Sequence, residues 1–578
     1  MLNQLTYSLP ENLEAAVETA FDEWKETDKI ARIWSKDASV WTNTDEAKWL
    51  GWLDSVAAEL SKIADYKAFA ADAEQYESIV LLGMGGSSLC PEVLAETFGK
   101  RRFHILDSTV PAQIKTLESK IDLARTLFIV ASKSGSTLEP NAFKQYFFER
   151  VSETVGAANA GKQFVAITDP NSKMQEVAEA ENFRQIFFGN PEIGGRFSAL
   201  SPFGSAAGAA MGVDVEDLLK RAAEMVAACK NENPADNPGA VLGTILGVCQ
   251  TNGRDKLTIF TSDEFHDVGA WLEQLIAEST GKNDVSIIPI DREKVLSPEN
   301  YAKDRVFVYL KLKNSPNTPL DAQVAAIEES GKPVIKIELA DKMNLGQEFF
   351  RWEFATAVAG SIMNINPFNQ PDVEAAKIEA KKLTEEYEAT GELPAETPFY
   401  EANGIKLFSS ESYAAELTAA VKEEQSAGNF EAADESSRLA AYLESHLLHL
   451  LTDDYFAVLA YVERNAENDA ALQAIRTKVL EEYLPATCLG FGPRFLHSTG
   501  QAYKGGANNG VFLQITSDDA EDLPVSGQKY TFGVVKAAQA RGDFQVLLDR
   551  ERRALRIHLG ADVQSGLEKI LSLIKQTD

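Results

Sequence analysis

Between the apolar run TLFIVA and the helical stretch EPNAFKQYFF, the sequence sets Ser132, Lys133, Ser134, Gly135, Ser136 and Thr137 in a single turn. Four hydroxyls, free backbone amides and the positive end of a helix dipole make a cradle for an anion of phosphate type. Capping a helix uses one hydroxyl, so the surplus points to a ligand. The turn lacks the Gly-x-x-x-x-Gly-Lys-Ser/Thr spacing of a nucleoside-triphosphate loop, which argues against that class. A second turn, Gly83-Met84-Gly85-Gly86-Ser87-Ser88 after the run SIVLLG, lets backbone approach a ligand closely and sets two serines at a helix start. With Asp107 at the end of the following run, its Gly83-x-Gly85-x-x-Ser88 spacing also imitates a dinucleotide fingerprint, and that reading stands beside the first.

Three further segments follow in order: IGGRFSALSPFG, AESTGKN and NINPFNQPDVEAAK. Taken singly, Arg196 is an arginine in a glycine turn, Glu278 a glutamate late in a helix, and Gln370 and Lys377 polar positions on a Pro-initiated helix. Taken together over residues 80–380, the five segments resemble the phosphoglucose isomerase family, whose chains carry two sugar isomerase (SIS) domains. The order is most similar to the isomerase half of transaldolase–isomerase fusions, and no transaldolase half lies in this sequence. The resemblance implies an aldose–ketose isomerase that interconverts glucose 6-phosphate and fructose 6-phosphate through an enediol, with no metal, nucleotide or other cofactor. It implies that Ser132, Lys133, Ser134 and Thr137 hold the phosphate while Gly86 and Ser87 line the sugar. Arg196 then stabilises the enediolate, a task suited to a group that stays cationic and does not compete for the substrate proton. Glu278 becomes the base that moves a proton between C1 and C2, Lys377 assists ring opening and Gln370 holds the sugar. A mannose-phosphate preference stands as a neighbouring activity, because C2 stereochemistry is not legible in these motifs.

The family opens the pyranose ring with a histidine, and both expected places lack one. Glu348 stands where the histidine would follow Leu345-Gly346-Gln347, and the stretch before KPVIKIEL reads AAIEESG. Histidine suits this work because its unperturbed pKa is about 6.5. His497-Ser498-Thr499-Gly500 precedes Gly505-Gly506, the run GVFLQIT and Tyr530-Thr531-Phe532-Gly533, an order that resembles the stretch after the His loop of short isomerases. His497 is therefore the candidate ring-opening group; the alternatives are that it only ties down the glycine-rich loop, or that Glu348 acts as a substitute acid. His446 and His449 share a helix without a third ligand, so packing is their expected role, as for His104 and His558 in strands. His266 orients or caps the helix before Glu278.

These groups need rigid elements. From residue 76, SIVLLG, RFHILD, TLFIVA and QFVAIT alternate with helical stretches, and after NENPADNPG come KLTIFT, VSIIPI, RVFVYLKL and KPVIKIEL. Such alternation predicts βαβ units and parallel sheets. The expected fold is α/β. A helical region over 1–75, anchored by Trp24, Trp34, Trp41 and Trp49, precedes SIS domains over 76–235 and 236–385. An acidic helical connector over 386–450 leads to a C-terminal α/β unit over 451–578 carrying YFAVLAYV, GVFLQIT and RRALRIHLG.

A chain of 578 residues exceeds one core, and 44% hydrophobic with 25% charged residues is the balance of a globular protein. The net charge of -31 opposes nucleic acid and anionic membrane, so an anionic substrate needs a local cationic pocket. No run reaches a membrane span and the N-terminal stretch lacks signal-peptide form. Cys90, Cys229, Cys249 and Cys488 have neither zinc nor redox spacing. The expected setting is the cytoplasm and the expected partner a small sugar phosphate. Family sites are completed at a subunit boundary, so a homodimer is expected unless the C-terminal unit replaces that contact. Two rivals stand: a dinucleotide-dependent enzyme built on Gly83, Gly85 and Asp107, and a non-catalytic sugar-phosphate sensor, which retention of Glu278 and Arg196 disfavours.

Overall fold

Three sheets organise the chain in the computed structural model, which describes residues 1–316, 318–431 and 433–574. The first is wholly parallel, in spatial order Phe103–Leu106, Ser78–Gly83, Thr126–Ala131, Phe164–Thr168, Gln185–Phe188. The second runs Ile288–Asp291, Lys256–Thr261, Arg305–Leu312, Val334–Leu339 in parallel, with Gln4–Ser8 antiparallel at its edge. The third runs Ala486–Phe491, Tyr455–Tyr461, Gly510–Ser517, Arg553–Leu559 in parallel, and the antiparallel hairpin Tyr400–Ala402 and Ile405–Phe408 closes its edge.

All three sheets share one winding: the first parallel strand lies inside, the second on one side of it and the third on the other. The chain therefore changes direction between the first and third strands, which leaves a crevice at their C-terminal ends. In the first sheet those ends are Gly83 and Ala131, immediately before the two turns singled out above.

Strands covered on both faces need unbroken apolar runs, and TLFIVA, FVAIT and YFAVLAY are buried at every position. The expected α/β class, with parallel sheets, an N-terminal helical region and a further C-terminal α/β unit, is what the chain forms. The differences lie at sheet edges. Gln4–Ser8, expected within the helical region, is a largely exposed strand. The stretch expected as a helical connector contributes the hairpin at 400–408 to the third sheet, and its helices Glu411–Ser426 and Glu435–Leu447 share that sheet's core. Short, half-polar edge strands carry too little apolar signal to be read from sequence.

The C-terminal unit is joined to both other sheets. Glu92 in the helix after the glycine turn receives Arg464 and Arg494, and Arg494 also reaches Asp107 at 3.1 Å. At the second seam Glu293 takes Arg305 at 2.9 Å and the Thr487 amide at 2.7 Å. Desolvation offsets most of the attraction in buried pairs. Stability at this seam comes from apolar packing, where Ala277, Ile288 and Ile290 share a cluster with Tyr455, Phe495 and Tyr503.

Candidate active site

At the switch point of the first sheet opens a cleft of about 380 Å³, walled by the first two units and closed by His497 from the C-terminal unit. The phosphate, sugar and acid–base residues expected from the sequence line it, Glu348 apart, though not all present their charges to it.

The hydroxyl loop forms one end. Thr137 is extended ahead of the helix Leu138–Val155, and no described side chain caps that helix, so its first amides are left for a ligand. Ser132 Oγ is buried without a hydrogen-bond partner among the described residues, while Ser134 Oγ pairs with Ser136 Oγ at 2.7 Å. Asn141 braces the loop by donating to Gly135 O at 2.8 Å and Thr137 O at 2.9 Å. Lys133 lines the wall, but its ammonium bonds Asp169 Oδ1 at 2.8 Å and Asn190 O at 3.1 Å. Burial lowers the Lys133 pKa, and Asp169 opposes the shift.

The glycine turn contributes Gly86 and the buried Ser87. Gly86 lines the cleft and also allows a close approach on its other side. A Cβ there would lie 1.9 Å from Gly195 O, so this glycine lets two turns of the protein touch and thereby seats Arg196.

The cleft floor carries the groups expected to do acid–base work. The helix Val268–Leu272 widens into a π-turn over Glu273–Glu278, an irregularity that re-aims side chains and is frequent at functional sites. Glu278 Oε2 accepts from Gln274 Nε2 at 3.0 Å, and Glu278 Oε1 lies 3.4 Å from Arg196 Nη1. Arg196 is 2% exposed and donates to Ser279 Oγ at 2.8 Å, Gln370 Oε1 at 3.0 Å, Pro367 O at 2.7 Å and Asn369 O at 2.9 Å. Burial lowers its pKa while Glu278 raises it, and a guanidinium stays charged at neutral pH even so. A carboxylate held by an amide beside a fixed cation can take up a proton, while the cation stabilises charge that develops next to it.

His497 closes the cleft from the C-terminal unit. Its Nε2 meets Glu139 Oε1 at 2.8 Å, and Glu139 also accepts from Gln539 Nε2 at 2.7 Å. Thr109 Oγ1 in turn donates to Gln539 Oε1 at 2.7 Å. Burial alone would raise the Glu139 carboxyl, but the imidazole, its hydrogen bond and Lys377 outweigh it and hold the group below the ordinary carboxylate range. Donation from Nε2 to this carboxylate leaves Nδ1 as the ring's acceptor.

Lys377 lies at the mouth, half exposed, with its ammonium 2.9 Å from Glu374 and away from the floor. Glu348 is not in the cleft, and the suggestion that it substitutes for the histidine is corrected. It is fully buried, accepts from Asn3 Nδ2 at 2.7 Å and faces Arg351 at 3.5 Å, and burial raises its pKa. Asp107, the acidic end of the dinucleotide fingerprint, is buried beneath Arg494. Among the described residues no group of three or more His, Cys, Asp or Glu side chains is arranged to hold a metal ion.

Sequence reasoning missed Glu139 and Gln274. Glu139 reads as an ordinary first-turn acid of a helix, and its pairing with His497 spans the chain. Gln274 had a faint signal, four residues before Glu278 on the same helical face.

A doubly wound α/β protein whose hydroxyl-rich loop, buried carboxylate and buried guanidinium converge in one switch-point cleft is equipped for proton transfer on an anionic substrate. Residues 58–293 match the family model for phosphoglucose isomerase. A probable glucose-6-phosphate isomerase of Methanococcus maripaludis is 28% identical over 369 residues, 57% of this chain and 82% of that protein. The crystal structure of a hypothetical protein from Thermus thermophilus superposes with a TM-score of 0.58 at 23% identity, covering 65% of this chain and 99% of that one. A glucose-6-phosphate isomerase structure from Chlamydia trachomatis gives 0.51 at 20% identity, covering 64% of this chain and 79% of that one. The structures share the fold, and the sequence likenesses support the phosphoglucose isomerase family for this chain. Arg196 and Glu278 fall inside the matched segment, whereas Gln370, Lys377 and His497 lie beyond it.

Proposed function

We propose that this protein is an aldose–ketose isomerase that interconverts glucose 6-phosphate and fructose 6-phosphate. The observation that carries the reading is the 3.4 Å approach of Arg196 to Glu278 in a cleft whose other end is the uncapped Ser132–Thr137 loop. The loop binds the phosphate dianion through Ser132, Ser134, Thr137 and the first helix amides. His497, oriented by Glu139, takes the C1 hydroxyl proton at Nδ1 and returns one to the ring oxygen, with Lys377 assisting from the mouth. Glu278 then removes the C2 proton of the open chain and delivers it to C1. A carboxylate is a weak base towards carbon, and Arg196 compensates by stabilising the enediolate as it forms. Gln370 holds the sugar, and Gly86 and Ser87 line it.

The reaction needs no cofactor. The Arg494 contact to Asp107 disfavours the dinucleotide reading, and the Glu278–Arg196 pair disfavours a mere sensor. Motif order also supports a narrower kinship with the isomerase half of transaldolase–isomerase fusions. A cytoplasmic setting accords with four buried free cysteines. Resemblance brings the expectation of a homodimer, whereas within this chain the C-terminal unit itself delivers a histidine to the cleft. The test is a coupled assay of fructose 6-phosphate formed from glucose 6-phosphate, with and without a chelator. Turnover insensitive to chelation is expected; no turnover overturns the proposal.

A further inference from the structure

The helix Pro371–Thr390, which carries Lys377, starts with a division of labour. Its N-cap residue is Gln370, whose side chain makes no bond to its own helix and accepts instead from Arg196 Nη1 at 3.0 Å. The amides left open at that helix start are taken by another side chain. Gln501 Oε1 accepts from the Asp372 amide at 2.9 Å and the Val373 amide at 3.1 Å. Gln501 Nε2 donates to Gly281 O at 2.8 Å, just past Glu278, and to Asp372 Oδ2 at 2.8 Å.

One fully buried amide in the short helix Gly500–Gly505 thus satisfies the start of the helix bearing Lys377 and the end of the helix bearing Glu278. The fit is close. A Cβ on Gly281 would come within 2.2 Å of the Ala502 Cα, and Arg550 holds the other Asp372 oxygen. His497 ends the short 3-10 helix Arg494–His497 that precedes the Gln501 helix, so the same segment of chain carries the candidate ring-opening group as well.

We propose that Gln501 is a positioning residue: it caps the Pro371–Thr390 helix in place of Gln370, which keeps the Gln370 side chain on Arg196 and the two catalytic helices in register. The inference rests on the isomerase reading of the cleft. Without Gln501 the side chain best placed to cap those amides is that of Gln370, and turning back to do so takes it off Arg196. A displacement of about 1 Å among catalytic groups costs about 10²-fold in rate.

The test is a double-mutant cycle on the full chain: wild type, Gln501→Leu, Gln370→Ala and the double variant, assayed for glucose 6-phosphate turnover and for inhibition by inorganic phosphate. Gln501→Leu is expected to lower kcat about 10²-fold in the wild-type background and less than about tenfold where Gln370 is already absent. The phosphate inhibition constant should stay within about twofold, because the Ser132–Thr137 loop does not touch Gln501. If Gln501→Leu does not fold, Gln501→Met keeps the length of the side chain without an oxygen to accept from the Asp372 and Val373 amides, and should lose kcat in the same background-dependent way. Equal losses in both backgrounds, no loss, or a parallel loss of phosphate inhibition would overturn the positioning role. An inactive wild type would instead remove the isomerase reading itself.

Discussion

The loops that follow the third parallel strand of the first and third sheets occupy one place in a shared winding, yet they end in different chemistry. In the first, Ser132–Thr137 leads into a helix that no described side chain caps. In the third, the helix Phe532–Asp549 is capped by Thr531, whose hydroxyl accepts from the Val534 amide at 3.2 Å. The Asp522 carboxylate sits at the same helix end, accepting from the Gly533 amide at 2.7 Å and from the Thr531 hydroxyl. A resident carboxylate fills the place that a phosphate would take in the first unit. Winding therefore decides where a site can form, and the side chains of the loop decide whether it is used. The third unit contributes by a different route, through His497 and Gln501 after its second strand.

The largest effect should come from the group proposed to do the chemistry beside the first loop. Glu278→Gln keeps the shape of the floor and removes the base, so kcat should fall by about 10²- to 10⁴-fold while inorganic phosphate still inhibits. Near-normal turnover would detach chemistry from this cleft.

The third unit's share is next. His497→Ala should reduce turnover of cyclic glucose 6-phosphate by about 10²-fold and that of an open-chain analogue far less, whereas Glu348→Ala should leave the ratio of the two unchanged. Equal losses on both substrates in His497→Ala would make the third unit's contribution structural.

The two loops can then be compared directly. Thr137→Ala should weaken phosphate inhibition about tenfold, as expected for loss of one hydrogen bond to a charged ligand. Asp522→Ala should leave that inhibition unchanged and lower the denaturation midpoint. Changed phosphate inhibition in the Asp522 variant would break the comparison.

The smallest effect is a pH dependence of stability. The folded-state pKa of Glu139 is held below its unfolded value, so the pair with His497 adds stability above the ordinary carboxyl value, about 4.3. That contribution is lost as pH falls through the folded value. The stability gap between wild type and Glu139→Gln, measured by denaturant titration, should therefore be widest above about pH 5 and close in stronger acid.

Much of this arrangement was legible because central parallel strands must be apolar throughout. TLFIVA and SIVLLG announced themselves, and the turns after them fell at the switch point. The edge strands Gln185–Phe188 and Ala486–Phe491 did not, since each is only partly buried. In the site, motif spacing found Arg196, Glu278 and the hydroxyl loop. It did not find Glu139, Gln274 or Gln501, whose side chains look like ordinary helix surface until distant segments meet them. Lys133 and Lys377 were legible as residues but not as geometry, because local carboxylates, Asp169 and Glu374, hold their ammonium groups.

In the proposed reaction a proton passes between C1 and C2 by way of the Glu278 carboxylate. The most direct measurement is NMR of the sugar phosphates after isomerisation in D2O. A proton resting on a carboxylate exchanges with solvent, so deuterium should appear at C1 of fructose 6-phosphate and C2 of glucose 6-phosphate, and the label should vanish with turnover in Glu278→Gln. Full turnover with no deuterium on either carbon would mean that hydrogen moves directly between them and would contradict the account.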